Sequence, residues 1–238
     1  MSTVRTVSDT KRAFYTLHTR PINSIYRRVV EELMVEMHLL SVNADFHYNP
    51  IYGLGVATTY ERFMQGYRPE ADQASIFNAL CQALLDDPEK YRGDAEHMRS
   101  LAVSTNAEQF LAQVKQLPNP ESWSGLIEVL KPISENPSFK YSRLFAVGLY
   151  SLLEIMSPDP VKDEAKRNEA IKTLAAGLKL SDDKMQKDLE LYRSNLEKLS
   201  QARQVLDDIL KADRKKKEER AKAKETVATP NPQDSPSS

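Results

Sequence analysis

The stretch SDDKMQKDLELYRSNLEKLSQARQVLDDILKADRKKKEERAKAKE, residues 181–225, decides how the rest of the chain is read. No Gly or Pro interrupts it, and the next proline is Pro230. Ser181 can cap a helix whose first turn holds Asp182 and Asp183, where carboxylates face the positive end of the macrodipole. Steps of four and three then give Met185, Leu189, Tyr192, Leu196, Leu199, Arg203, Leu206, Leu210 and Asp213, and seven of these nine are apolar. That is a coiled-coil-like repeat sustained over about four heptads. Opposite charges four residues apart support it: Asp183 with Lys187, Lys184 with Asp188, Arg193 with Glu197, Asp207 with Lys211 and Glu218 with Lys222.

Length gives this helix its meaning. Some 40–45 residues rise roughly 60–65 Å. A compact body of the preceding 180 residues has a diameter of about 40 Å. The sequence therefore predicts a long C-terminal helix that protrudes from its own domain or meets a partner. The expected division is a helical bundle over 1–180, the long helix over 181–225 and a disordered tail over 226–238, where Pro and Ser gather without aromatics.

Working back towards the N-terminus, proline punctuates the chain. Pro21, Pro50 and Pro88 stand at first-turn positions, and Pro69 just precedes one. Helices are expected at about 8–18, with Ser8 as N-cap, and at 21–42, 50–65, 70–86 and 88–102. Another, capped by Ser104 or Asn106, should reach about Lys115. Ile22, Ile25, Tyr26, Val29, Leu33, Met37 and Leu40 form one apolar stripe on the second helix. Pro118, Pro120, Pro132 and Pro137 predict an irregular connection over 117–137, with one short helix near 123–130. Residues 138–156 are apolar nearly all round, as suits a central helix, and Pro158 and Pro160 end it. A further helix is expected over 161–178. No strand pattern is present, so the fold class is all-α, a multi-helix bundle.

Composition narrows the function. Of 238 residues 40% are hydrophobic and 28% charged, and only 7 are Gly. The net charge of −1 lacks the basic excess of a protein living on bulk nucleic acid. Cys81 is the sole cysteine, so one chain can form no disulfide. The longest apolar run, Leu144 to Leu153, is too short to span a bilayer, so any membrane contact is expected to be peripheral. The N-terminus holds no apolar secretory segment.

Candidate chemistry is sparse. No Glu-x-x-His or His-x-x-x-His exists around His18, His38, His47 or His97, so no metal is expected. Gly53-Leu54-Gly55 lacks the third glycine of a dinucleotide loop and reads as close helix packing. Cys81 lies on a core stripe with Phe77 and Leu84. Glu31, Glu32 and Glu36 read as solvated helix charges. No catalytic residue and no cofactor are expected. Lys211, Arg214, Lys215, Lys216, Lys217, Arg220, Lys222 and Lys224 outnumber Asp213, Glu218 and Glu219. Such a cluster suits anionic lipid headgroups or, as a solvated helix end, the C-terminal macrodipole. It lacks the aromatics for stacking nucleic-acid bases.

The chain resembles a known family. TVSDTKRAF (6–14), RPINSIYRRVVEELMVEMHLL (20–40), IFNAL (76–80), YSRL (141–144) and DLELYRSNLEK (188–198) look like the thylakoid formation protein family, also called the photosystem II biogenesis protein Psb29. The likeness runs from about Val4 to about Leu210, while 103–120 and the residues beyond Lys211 match in character only. It implies a non-enzymatic factor, peripheral to the thylakoid on its cytoplasmic or stromal side. It further implies work in photosystem II biogenesis and repair beside the membrane-bound FtsH protease. Without a transit extension, the chain is expected to be cyanobacterial. On this reading Met185, Leu189, Tyr192, Leu196, Leu199, Leu206 and Leu210 are the expected partner-binding residues of a monomer, and Lys211, Arg214, Lys215, Lys216 and Lys217 the expected lipid contacts. The alternatives are a homodimeric coiled coil, which Arg203 in the seam opposes, and a peripheral membrane-organising protein.

Overall fold

The computed structural model describes residues 5–158 and 163–227, without the side chains of 210 and 220–227. Pro160 and Val161, expected to end one helix and open the next, lie outside these, as do residues 228–238 of the tail expected over 226–238, while Thr226 and Val227 end the last helix. Ten helices and no strand occur among the described residues. They are α1 (Val7–Leu17), α2 (Ser24–Ser41), α3 (Pro50–Phe63), α4 (Ala71–Ala83), α5 (Pro88–Val103), α6 (Ala107–Val114), α7 (Gly125–Ser134), α8 (Arg143–Met156), α9 (Glu164–Gly177) and α10 (Asp182–Val227). The all-α expectation, with a long last helix, holds. The chain divides into two compact units, Met1–Leu196 and Glu197–Ser238, so the boundary falls inside α10.

In the first unit α3 and α8 are the central pair. Every residue from Ile51 to Tyr60 and from Leu144 to Leu153 is buried. The two helices run antiparallel with their backbones in contact. A Cβ on Gly55 would collide with the carbonyl oxygen of Leu144, and a Cβ on Gly148 with that of Ile51. Each helix thus sets one carbonyl, four residues before its own glycine, into the gap left by the other. Glycine costs about 1 kcal/mol relative to alanine inside a helix, and here the close approach requires it. The packing reading of Gly53-Leu54-Gly55 stands, with Gly53 facing the Tyr48 hydroxyl.

The remaining helices surround this pair. α2 buries Tyr26, Val30, Leu33, Met34, Met37 and Leu40, close to the stripe read from sequence. α5 lies against α3 and α8, and α1 against α4 and α2. Tyr52 and Tyr91 meet edge to face among Tyr48, Phe46 and Phe77, a geometry that ring quadrupoles favour.

Local signals set the ends. Asn49, Asp87, Asn106, Ser142 and Asp163 each accept a backbone N–H as N-caps. For α1 the cap is Thr6 rather than Ser8: Thr6 and Asp9 bond reciprocally in a capping box, which outcompetes a single serine two residues later. α2 begins at Ser24, capped by Asn23, because the Asn23 side chain takes the Ile25 N–H. α7 continues through Pro132 to Ser134, beyond the short helix expected, with Leu126, Ile127, Leu130 and Ile133 buried on one side. Burial of that face outweighs the one backbone bond that proline forgoes.

Candidate docking surfaces

The ridge of α10 separates into parts. Met185, Leu189 and Tyr192 are 0%, 3% and 3% exposed. They belong to the core of the first unit, where the Tyr192 ring lies 5.9 Å from that of Phe63. Side chains so covered offer a partner no surface. Leu196 is half-buried, Leu199 is buried and Leu206 is half-buried, while the Leu210 side chain lies outside the described residues. Lys211, Arg214, Lys215, Lys216 and Lys217 are all exposed. In the same part of the helix Val205 is 58% and Ile209 53% exposed. Spacing by heptads steps past both; their i, i+4 relation was the signal available in the sequence.

A second apolar strip lies on α2. Val35 and Leu39, with Val42 at the helix's C-cap, stand at i, i+4 and i+7 and are exposed. Val35 and Leu39 border an open groove of about 720 Å³ with Arg28, Glu32, Glu36 and Arg143. A smaller groove of about 280 Å³ adjoins it, sharing Leu39, Glu36 and Arg143 and reaching Lys140.

The groove's charges are organised, which corrects the reading of two of its three carboxylates, Glu31 and Glu36, as solvated. Glu36 is largely buried and ion-paired with Arg143. Burial raises its carboxyl above the ordinary value, Arg143 opposes that rise and Asp188 adds to it. At Glu31 burial is outweighed by hydrogen bonds from Lys11 Nζ (2.8 Å) and the Tyr15 hydroxyl (2.5 Å), which hold the carboxyl below its usual value. Only Glu32, with Arg28 at 2.9 Å, forms an exposed pair. Nearby, the Tyr141 hydroxyl donates to Asp188 Oδ2 at 2.8 Å, joining the segment before α8 to the first part of α10.

Other candidates are structural. Cys81 is fully buried, and burial pushes its thiol up to about 12, too high for a thiolate nucleophile at neutral pH. His18 and His38 are buried. His38 Nδ1 shares a 2.9 Å hydrogen bond with Thr10 Oγ1, and His18 Nδ1 a 3.0 Å bond with Ser75 Oγ. Among the described residues no three His, Cys, Asp or Glu side chains gather as metal ligands. Among them, too, no helix is long and apolar enough to cross a membrane.

A family model described as thylakoid formation protein matches residues 6–221. A protein named Thf1 from Trichormus variabilis is 61% identical over 232 residues, covering 97% of this chain and 100% of the relative. Thf1 from Acaryochloris marina is 50% identical over 234 residues, 97% of this chain and 93% of the relative. A solved structure of Psb29 superposes with a TM-score of 0.78 at 44% identity, covering 90% of this chain and 98% of that one.

Proposed function

Because the chain belongs to the thylakoid formation protein family, we propose that it is a non-enzymatic accessory factor of photosystem II biogenesis and repair, supporting the thylakoid FtsH protease complex by protein–protein contact. It works peripherally, on the cytoplasmic face of the thylakoid. The observation that carries this reading is the course of α10. Having supplied Met185, Leu189 and Tyr192 to the core, the helix continues from Glu197 to Val227 in a separate unit. A helix with apolar positions beyond its own core is a surface for another helix. The α2 strip of Val35, Leu39 and Val42 offers a second contact on the body.

Affinity purification from thylakoid membranes tests the reading. The protease should co-purify with the full chain and be lost on truncation after Ser200, a cut that spares Met185, Leu189, Tyr192 and Leu199, the buried residues of the helix. Leu206→Asp in the full chain should weaken the association. Undiminished recovery of the protease with the truncated chain removes α10 as the docking surface. Its absence from the full-chain preparation removes the partner.

A further inference from the structure

One face of α10 is ordered by residue type in a way the coiled-coil repeat does not use. Lys198, Ala202, Val205, Ile209, Ala212 and Lys216 follow at steps of four, three, four, three and four, so they line one side of the helix. All six are exposed. The line spans about 27 Å, apolar in the middle with a lysine at each end. It is rotated about 100° from Leu206 and the rest of the seam, since consecutive residues turn by that angle.

Beside the C-terminal part of this line lie Lys211, Arg214, Lys215 and Lys217, all exposed; at about 100° per residue, Lys215 and Lys217 flank the line on either side, and Lys211 and Arg214 face away from it. An acidic protein groove would have to carry carboxylates on several walls to meet them. A plane of negative charge needs no such match: the stems of Lys215 and Lys217 can bend to one surface from either side, and Lys211 and Arg214 add attraction through the field near the membrane. The apolar line fits the same plane: its branched side chains are two, flanked by alanines, enough to enter the boundary between headgroups and acyl chains. Asp208 and Asp213 stand beside the line and oppose deep entry. The basic run supplies the attraction that those carboxylates reduce.

We propose that residues 198–217 of α10 lie flat on an anionic membrane surface, with Val205 and Ile209 entering the headgroup boundary and Lys198, Lys215, Lys216 and Lys217 engaging lipid phosphates. This site goes beyond the protease reading and does not depend on it.

Sedimentation of the full chain with lipid vesicles tests the site. Vesicles of phosphatidylcholine containing roughly a third phosphatidylglycerol should carry the chain down, and phosphatidylcholine alone should not. Binding should fall in about 0.5 M salt, where screening reaches within a few ångström. Val205→Asp with Ile209→Asp should lower the bound fraction at least about fivefold, as should Lys215→Glu with Lys216→Glu and Lys217→Glu. Leu206→Asp, on the seam, should bind vesicles like the native chain. Circular dichroism verifies helix content in each variant.

Equal binding to neutral and anionic vesicles, or binding to neither, overturns the proposal. So does full vesicle binding by the Val205 and Ile209 variant, whether or not that variant loses the protease, because the strip then serves a protein or nothing. Loss of vesicle binding with the protease still recovered supports the membrane site and leaves the protease reading intact.

Discussion

The Tyr141 hydroxyl donates a 2.8 Å hydrogen bond to the Asp188 carboxylate, so the residue just before the N-cap of α8 is tied to the second turn of α10. Both side chains are partly exposed, and Lys184 lies 5.1 Å from the Tyr141 ring centroid. The bond therefore secures the root of the long helix where the surface is open to water.

Tyr141→Phe removes that donor and little else. Hydrogen bonds to charged acceptors contribute about 1.5–3 kcal/mol when buried, and partial exposure lowers the expected loss here to about 1 kcal/mol. In urea unfolding, Tyr141→Phe and Asp188→Asn should each reduce stability, and the double variant should lose less than their sum. Strict additivity would mean that the bond contributes nothing.

The α10 ridge should divide sharply in stability. Met185→Ala empties a fully buried site and should cost about 2–5 kcal/mol. Val205→Ala, at 58% exposure, should change stability by about 0.5 kcal/mol or less. Comparable losses at the two positions in thermal unfolding would contradict the division of the helix.

Gly55→Ala and Gly148→Ala each drive a methyl into a backbone carbonyl, which cannot yield as a side-chain tip can. Each should cost on the order of 3 kcal/mol. Gly93 on α5 is the control, because a Cβ there meets nothing within 4 Å. Gly93→Ala should stabilise by about 0.5–1 kcal/mol. Denaturant midpoints for the three variants give the comparison.

Acid should loosen α1. Burial lowers the His18 imidazole from its ordinary value of 6.5; Asp72 acts in the opposite sense and Arg20 in the same sense. With the folded value below the unfolded one, the unfolded chain binds the proton more readily. The His18 contribution is therefore complete above about pH 6.5 and falls as pH drops from there through the lowered folded value. His18→Gln should flatten this part of the stability–pH curve, and an unaltered slope would assign it to other groups.

Much of this architecture is legible in the sequence because its signals are local. The proline-led starts of α3 and α5, the apolar circumference of α8 and the stripe of α2 all fix elements from nearby residues. Harder to read is what a stripe will be covered by. Met185 and Leu206 occupy equivalent heptad positions, yet one lies in a core and the other is half-buried, and periodicity carries no information on where the body ends. Glu36 is a similar case: nothing around it in sequence announces Arg143, which is brought to it by the packing of α8. Val205 and Ile209 escape the heptad pattern because a repeat that follows one face ignores the neighbouring one.

The reciprocal fit of α3 and α8 bears on how the body can move. Two carbonyls seated in two opposing gaps act as a key with a pair of teeth, and sliding one helix along the other by a turn would bring larger side chains against backbone. Shear between these helices, a common way for packed helices to relay a signal, is therefore blocked at the centre of the molecule. Any rearrangement of this unit is left to the outer helices, which pivot around a fixed axle.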